Sequence, residues 1–289
     1  MRQSTLGRLR DRVRDVRART DDLGEGITRL RITSRRTRVL GFEVSAYLVD
    51  DLLVDTGFRH ARGPVLEALA GRTIRAICCT HSHEDHTGNC WPLAERHGCP
   101  IYLRNHALRW TEGVRRLKPY RLWWWGVPGP IPAEEMPEVV AGRERRLRQL
   151  PTPGHAVTHT AIWEEATGSV FTGDLFIASG ASAVMVQENP YDLVDSLRRV
   201  AAVAPRRMLT GHGLVMDDPA PRLLAKADRV EEAAARAVEL HRQGMPDRAV
   251  VRELFANGHL KDRILEALTQ GEFSRVNFVR AAVLHRREL

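Results

Sequence analysis

The stretch His81-Ser82-His83-Glu84-Asp85-His86 places four side chains that bind metals well, three histidines and one aspartate, within six residues. It follows directly on the apolar run 74–79, which has the length and composition of a buried strand. A strand end that is held by tertiary packing can aim several side chains at one point. The pattern therefore predicts a metal site at the end of a buried strand.

Three more candidate ligands follow at wide spacing, and each lies in a glycine-containing turn beside an apolar segment. They are His155 in Pro151-Thr152-Pro153-Gly154-His155, Asp174 in Phe171-Thr172-Gly173-Asp174, and His212 in Thr210-Gly211-His212-Gly213. Neutral imidazoles and carboxylates suit Zn²⁺, and also iron or manganese. The other seven histidines, at positions 60, 97, 106, 159, 241, 259 and 285, are expected to be structural, with His159 closest to a supporting role.

In this order the seven residues resemble the pattern of the metallo-β-lactamase fold superfamily of metallohydrolases. That pattern is HxHxDH, an isolated His, an Asp that bridges two metals, and a last His. The resemblance covers about residues 26–213 and includes Val54-Asp55-Thr56-Gly57, where the family commonly has an Asp near the metals. It implies an α/β fold of the αββα type, in which two mixed β-sheets are sandwiched between helices.

The resemblance also implies a role for each ligand. Carried over residue by residue, it assigns one metal to His81, His83 and His155, the other to Asp85, His86 and His212, and the bridging position to Asp174. Two divalent ions, zinc first and iron or manganese as alternatives, would then activate a bridging hydroxide, with Asp85 and Asp174 as the catalytic carboxylates. Glu84 stands at a variable position of the motif and is expected to be solvated.

Details of the motif favour some subclasses over others. His83 stands where flavin-associated di-iron members have Glu, and Ile177 stands where acyl-homoserine lactonases tend to have Tyr. Glyoxalase II is similar around His155 and Asp174 but departs after His212. The expected reaction is cleavage of a small-molecule ester or thioester, such as an acyl group on coenzyme A, a carrier or glutathione. The alternatives are a mononuclear iron persulfide dioxygenase and a binding protein without turnover.

A basic and aromatic stretch supplies the candidate substrate contacts. The triplet Trp123, Trp124 and Trp125 follows the cations Arg115, Arg116, Lys118 and Arg121. The Gly- and Pro-rich stretch 126–130 predicts that the three indoles lie in an exposed loop rather than in a core helix. The cations could grip phosphates while the indoles cover an acyl chain. The open alternative is that the triplet packs against outer helices or forms a homodimer contact.

The charge distribution bears on partners. Of 44 basic and 36 acidic residues, 12 arginines but only five acids lie within residues 1–38, so the rest of the chain is nearly neutral. A nucleic-acid partner is not expected, because backbone binding needs cations along the site itself.

No run approaches the about 20 apolar residues that span a bilayer. We expect a cytoplasmic protein whose four cysteines serve packing.

Three regions are predicted along the chain. Residues 1–22 form a basic amphipathic arm with helical spacing at Leu6, Leu9, Val13 and Val16, either solvated or docked as a dimer contact. Residues 23–217 form the catalytic domain, with strands at 27–33, 44–49 and 52–55. Residues 218–289 form a cap of four short helices, the last with Ser274 as its N-cap.

Overall fold

The structure is a computed structural model and describes residues 15–39, 41–105, 117–177, 183–255 and 260–286. Its strands are β1 (Arg17–Asp22), β2 (Ile27–Thr33), β3 (Val44–Val49), β4 (Leu52–Val54), β5 (Ala76–Cys79), β6 (Ile101–Leu103), β7 (Glu134–Glu135), β8 (Val139–Ala141), β9 (Arg146–Pro151), β10 (Thr160–Glu164), β11 (Ser169–Phe171), β12 (Arg207–Leu209) and β13 (Val215–Asp217). Its helices are α1 (Arg35–Val39), α2 (Arg62–Ala68), α3 (Glu84–Thr87), α4 (Cys90–His97), α5 (Pro119–Trp125), α6 (Pro190–Ala202), α7 (Ala220–Arg242), α8 (Asp247–Leu254), α9 (Leu260–Leu268) and α10 (Arg275–Leu284).

The strands form two mixed sheets. The first has the order β1-β2-β3-β4-β5-β6-β7, antiparallel from β1 to β4 and parallel from β4 to β7. The second has the order β13-β12-β11-β10-β9-β8, in which β11 and β12 pair in parallel and the other neighbours are antiparallel. The carboxyl ends of β9, β11 and β12 therefore point to the same edge of the second sheet.

Apolar packing on both faces of each sheet makes the layers. Cys78 faces the core between the sheets, whereas Ile77 and Cys79 face the outer layer that contains α2 and α4. This alternation follows from the period of two in a strand, and burial on both faces explains the unbroken apolar run 74–79. Helices α6, α7 and α10 cover the outer face of the second sheet. The predicted αββα sandwich is confirmed, and the buried cysteines have the predicted packing role.

The amino-terminal prediction is wrong where the structure describes it. Residues 1–14 lie outside the described part, but Arg17–Asp22 form strand β1 and pair with β2 rather than continuing a helix. Ala18 packs at the edge of the apolar layer between the first sheet and helices α2 and α4. Arg29 on β2 forms an ion pair with Asp21 on β1. Backbone hydrogen bonds to β2 hold Arg17–Asp22 in an extended conformation, whereas Leu6, Leu9 and Val13 of the predicted helical spacing lie outside the described residues.

The four predicted carboxyl-terminal helices are present as α7 to α10. The Ser274 hydroxyl accepts hydrogen bonds from the backbone N–H groups of Val276 and Asn277, which confirms the predicted N-cap. Such a cap contributes about 1 kcal/mol. Among the described residues, no helix is both long and apolar enough to cross a membrane.

Helix α7 carries a buried cation, Lys226. Its Nζ donates to the backbone oxygen of Leu175 at 3.1 Å and lies 5.0 Å from the centre of the Phe176 ring. Burial lowers the pKa of Lys226 to about 8. The amine therefore ties α7 to the turn that follows β11.

This burial predicts a pH dependence of stability. Between pH 8 and the ordinary lysine value of 10.5, the unfolded chain retains a proton on Lys226 that the folded chain has lost, so stability rises with pH. Relative to Lys226→Met, the free energy of unfolding of the wild type is expected to increase by about 3 kcal/mol across this window and to stay flat below it. Urea unfolding of both proteins from pH 7 to 10.5 measures the difference, and a difference that does not change with pH would contradict the assignment.

Candidate metal centre

The seven predicted ligands lie together at one edge of the sandwich. His81 and His83 follow the end of β5, His155 follows β9, Asp174 follows β11 and His212 follows β12. Asp85 and His86 belong to the short helix α3, which begins directly after His83. The topology thus brings residues that are up to 131 positions apart in the chain, from His81 to His212, to one place.

The first cluster consists of three imidazoles and one carboxylate. The Nδ1 atom of His83 lies 3.0 Å from Nε2 of His81 and 3.1 Å from Nε2 of His155. The Oδ2 atom of Asp174 lies 4.0 Å from Nε2 of His81 and 3.5 Å from Nε2 of His155. All four side chains are buried.

The second cluster lies on the other side of Asp174. Its Oδ1 atom is 3.2 Å from Nε2 of His86 and 3.1 Å from Nε2 of His212. The Oδ2 atom of Asp85 is 3.9 Å from Nε2 of His86 and 4.0 Å from Nε2 of His212. The Oδ2 atom of Asp174 also lies 3.2 Å from Nε2 of His212, so the Asp174 carboxylate stands between the two clusters and contacts imidazoles of both.

These separations fit metal coordination. Metal–ligand bonds of about 2.0–2.1 Å in a tetrahedron place neighbouring ligand atoms about 3.3 Å apart, which falls inside the observed spread. The Nε2 atom of His86 and the Oδ1 atom of Asp174 are buried and have no hydrogen-bond partner among the described residues. Unsatisfied buried polar atoms are costly, and a cation between them would satisfy both. The two clusters are consistent with a dinuclear site.

Asp55 orients one histidine of each cluster. Its Oδ2 atom accepts a hydrogen bond from Nδ1 of His86 at 2.8 Å and another from the Thr80 hydroxyl at 2.8 Å. The Thr80 hydroxyl in turn lies 3.1 Å from Nδ1 of His81. Both imidazoles therefore turn Nε2 towards the cluster. Asp55 has a φ of 58°, a strained conformation that persists because its carboxylate is held from several sides.

Asp55→Asn is expected to weaken metal binding by about ten- to a hundredfold, because partners that orient ligand histidines contribute to affinity on this scale. The amide keeps the shape but removes the charge that favours the N–H of His86. Competition for Zn²⁺ against a chromophoric chelator measures the affinity. Asp51→Asn is the matched control, because Asp51 is also buried and pairs with Arg75 at the other end of β4; equal losses in both variants would contradict the orienting role.

Three further contacts hold His212, His155 and Asp174. His212 Nδ1 donates to the backbone oxygen of Glu43 at 2.9 Å, and His155 Nδ1 lies 3.4 Å from Oε1 of Glu188. His159 accepts a hydrogen bond at Nε2 from the backbone N–H of Asp174. Burial lowers the pKa of His159 to about 3, so it stays neutral. The supporting role predicted for His159 agrees with this contact.

Burial and charge shape the protonation of the ligands. Burial lowers the pKa of His81 and of His83 well below the usual range, which favours the neutral form that binds metals. For Asp174, burial opposes ionisation, but the neighbouring His212 and His86 outweigh it and hold the pKa of the carboxyl well below its usual range. Asp174 is therefore available as a carboxylate ligand.

Two glycines allow the ligand loops to approach each other. A Cβ at Gly211 would lie 2.5 Å from Cε1 of His86, and one at Gly173 would lie 2.7 Å from the Thr80 hydroxyl oxygen. Gly173 also has a φ of 46°, in the left-handed region. The glycines of the Thr-Gly-Asp and Thr-Gly-His segments therefore have a steric reason to stand beside the ligands.

The sequence-based prediction for Glu84 is wrong, because Glu84 is buried rather than solvated. Arg121, a predicted substrate contact, is also buried and forms ion pairs with Glu84 and with Glu272. A guanidinium held between two carboxylates has no free face for a phosphate. Lys118 donates to the backbone oxygens of Thr269 and Gln270, and the predicted contacts of Arg115 and Arg116 lie outside the described residues.

The tryptophan triplet belongs to a helix, so the predicted loop is wrong for these residues. Trp123, Trp124 and Trp125 end helix α5, and the Gly- and Pro-rich stretch begins only at Gly126. Trp123 is 55% exposed and is stacked by Arg36 at 3.6 Å. Trp125 packs against Phe42 and Phe58. The predicted contact of the triplet with substrate stays a prediction.

Two residues of the site carry no signal in the sequence. Glu188 lies just before α6 in a stretch without a motif. Its carboxylate accepts a hydrogen bond from the backbone N–H of Met185. The ring of Phe42 lies 4.2 Å from that of His212 and supports it from the side. Both contacts depend on long-range packing, which a local pattern does not encode.

Comparison with known proteins agrees with this geometry. A 181-residue segment is 29% identical to the probable metallo-hydrolase YybB of Bacillus subtilis, covering 57% of this chain and 76% of that protein. A 180-residue segment is 29% identical to the hydroxyacylglutathione hydrolase of Rhodospirillum rubrum, covering 61% of this chain and 63% of that protein. The match thus spans less than two thirds of the hydroxyacylglutathione hydrolase.

The fold has a solved counterpart in a β-lactamase domain protein from Burkholderia ambifaria. The two share a TM-score of 0.64 at 18% identity, over 90% of this chain and 86% of the other. The family model described as the metallo-beta-lactamase superfamily matches residues 39–212, which include all seven candidate ligands. With its sandwich fold and its two His/Asp clusters, this chain belongs to the metallo-β-lactamase superfamily and is a probable metallohydrolase.

Proposed function

We propose that the protein is a dinuclear metal-dependent hydrolase that cleaves an ester or thioester of a small acyl group. The observation that carries the proposal is the position of Asp174 between the clusters. Its Oδ1 atom lies 3.2 Å from Nε2 of His86 and 3.1 Å from Nε2 of His212, and its Oδ2 atom lies 3.2 Å from Nε2 of His212 and 3.5 Å from Nε2 of His155. A bridging carboxylate is useful where two ions act together on one substrate. Zinc is the ion we expect, because imidazole and carboxylate ligands at this spacing suit it.

Water is the nucleophile in this proposal. Cys78, Cys79 and Cys90 are buried in apolar cores, and burial raises the pKa of Cys78 to about 12. A protonated, buried thiol is a poor nucleophile. Metal ions held by the two clusters would lower the pKa of a bound water and would polarise the carbonyl of the substrate.

The residues of the chain then position the water and hold its proton. Asp85 belongs to the second cluster, where its Oδ2 atom lies 3.9 Å from Nε2 of His86 and 4.0 Å from Nε2 of His212, whereas Asp174 has imidazoles of both clusters around it. We assign to Asp85 the orientation of the attacking water and the acceptance of its proton. We assign to Asp174 the role of holding the two clusters at a fixed distance from each other.

An apolar rim supports an acyl substrate. Three of the loops that carry ligands each expose a large apolar side chain: Val157 two residues after His155, Ile177 three after Asp174, and Leu214 two after His212. Exposed apolar side chains within three residues of the ligands in the chain favour an apolar ligand. The name of the hydroxyacylglutathione hydrolase, a protein that this chain resembles, adds support for an acyl substrate.

A substrate panel tests the proposal. Zinc-loaded protein is assayed with acyl thioesters of N-acetylcysteamine of increasing chain length, a hydroxyacylglutathione, an aryl ester, a lactone and a phosphodiester. We expect hydrolysis of the thioesters or the ester, and rates that increase with chain length. Activity confined to the phosphodiester would contradict the substrate class, and a loaded protein that hydrolyses nothing would favour the non-catalytic alternative.

A further inference from the structure

We propose that Arg121 is a positioning residue for the metal loop and that the carboxyl-terminal region holds Arg121 in place. The inference rests on the proposed function in one respect only, that the seven residues bind metal. The inference links helix α5, which carries the tryptophan triplet, to Glu84, the second variable position of the HxHxDH motif.

Glu84 connects the motif to α5. It is the first residue of α3, between the candidate ligands His83 and Asp85, and its side chain is 6% exposed. Both of its carboxylate oxygens are engaged by Arg121, Oε1 by Nε and Oε2 by Nη2 at 2.8 Å. A two-point contact between planar groups fixes orientation as well as distance. Because α3 has only one turn, the direction of Glu84 constrains the two ligands that flank it.

Helix α5 also reaches the second cluster. The ring of Trp125, at its carboxyl end, lies 6.1 Å from that of Phe42. The ring of Phe42 lies 4.2 Å from that of His212. The same helix therefore contacts the loop of the first cluster through Arg121 and a ligand of the second cluster through two aromatic rings.

The carboxyl-terminal region fixes the other side of Arg121. Its third nitrogen, Nη1, donates to Oε1 of Glu272 at 3.0 Å. Glu272 lies in the turn between α9 and α10, and the amide of Asn277 holds its backbone oxygen at 2.8 Å. Lys118, at the start of α5, donates to the backbone oxygen of Gln270 at 2.9 Å in the same turn. The cap predicted for residues 218–289 is thus linked by charge to the metal loop.

An arginine is suited to this place, because only its planar fork can contact both oxygens of Glu84 and still donate to Glu272. Burial would penalise each of these charges alone, but the three together satisfy one another. Removing Arg121 would leave two carboxylates without their partner next to the metal loop. The loop would then be free to move away from the geometry that the ions require.

The direction in which metal affinity changes when Arg121 is removed separates positioning from simple electrostatics. If Arg121 acted only through its charge, its removal would raise the affinity for a cation nearby, because a positive charge has gone. If it acts by positioning, its removal lowers the affinity. A merely structural role would lower the unfolding temperature but leave metal affinity and the geometry of the centre unchanged.

The experiment measures Co²⁺ binding by calorimetry and by the visible absorption of the bound ion, which reports ligand geometry. Arg121→Met and Glu84→Gln are each expected to weaken binding by about ten- to a hundredfold and to alter the spectrum. The double variant is expected to lose no more than either single variant, because the two residues act as one unit. Glu272→Gln is expected to show a smaller loss in the same direction. Arg121→Met protein that binds Co²⁺ as tightly as wild type, or more tightly, would overturn the inference.

Arg198→Met is the matched control, because Arg198 also pairs with two carboxylates but lies on the exposed surface between α6 and α7. It is expected to bind Co²⁺ like wild type. Should Arg121→Met fail to fold, Arg121→Lys keeps the charge and loses the fork, and wild-type affinity in that variant would equally overturn the inference. Since the readout is metal binding, the result on Arg121 stands even if the wild type hydrolyses none of the proposed esters. Variants that hydrolyse the esters normally and bind Co²⁺ like wild type would reject the role of Arg121 and leave the proposed function intact.

Discussion

Asp174→Asn is expected to lower kcat/KM for the best thioester or ester by at least about 10³-fold, which corresponds to about 4 kcal/mol of transition-state stabilisation. The reason is that one side chain serves both clusters, with Oδ1 near His86 and His212 and Oδ2 near His155 and His212. The amide of Asn offers one oxygen and one NH₂ group, and the NH₂ group cannot bind a cation. The substituted side chain therefore has one ligand atom where the carboxylate has two. Steady-state kinetics and metal content of the same preparation measure the effect.

Asp217→Asn is the control for this change, because Asp217 is an exposed aspartate that pairs with Arg207 at the far end of the second sheet. It is expected to keep full activity and two ions. An Asp174→Asn protein that retains two tightly bound ions and more than a tenth of the activity would show that the carboxylate does not bridge the clusters.

His212→Gln is expected to release one ion and to keep the other. The second cluster would be left with His86, Asp85 and the shared Asp174, while the first cluster keeps all three of its imidazoles. We expect metal content to fall from two ions to one, and kcat/KM to fall by about 10²-fold because the remaining ion acts without its partner. Elemental analysis after gel filtration counts the ions.

The matched control for that change is His241→Gln, because His241 is an exposed histidine near Asp247 and lies outside both clusters. Loss of both ions in His212→Gln would mean that the clusters do not bind independently. Retention of full activity with a single ion would favour a mononuclear reaction.

The metal centre was largely predictable because its signals are local. The end of β5, the glycine turns and the ligand types are all visible within a few residues, and their order identifies the family. The strands β2 and β3 and the helices α7 to α10 were also predictable, since each contains recognisable apolar positions and α10 begins at a serine N-cap.

What escaped prediction depends on partners far away in the chain. Glu84 has the composition of a solvated residue, and only its pairing with Arg121, 37 residues later, makes its burial tolerable. Glu188 and Phe42 are placed beside ligands by packing alone. Arg17–Asp22, predicted to belong to the helical arm, are extended because they pair with β2. In each case a tertiary contact outweighs the local preference.

The central claim is that two ions act together in one hydrolytic site, and the most direct test counts metal and product in the same sample. Chelator-treated protein is reloaded with Zn²⁺ in steps, and hydrolysis of the best thioester is followed at each step. We expect no activity without metal, saturation at two ions per chain, and most of the activity to appear with the second ion. Full activity at one ion, or a single iron with oxygen uptake and no hydrolysis, would contradict the account.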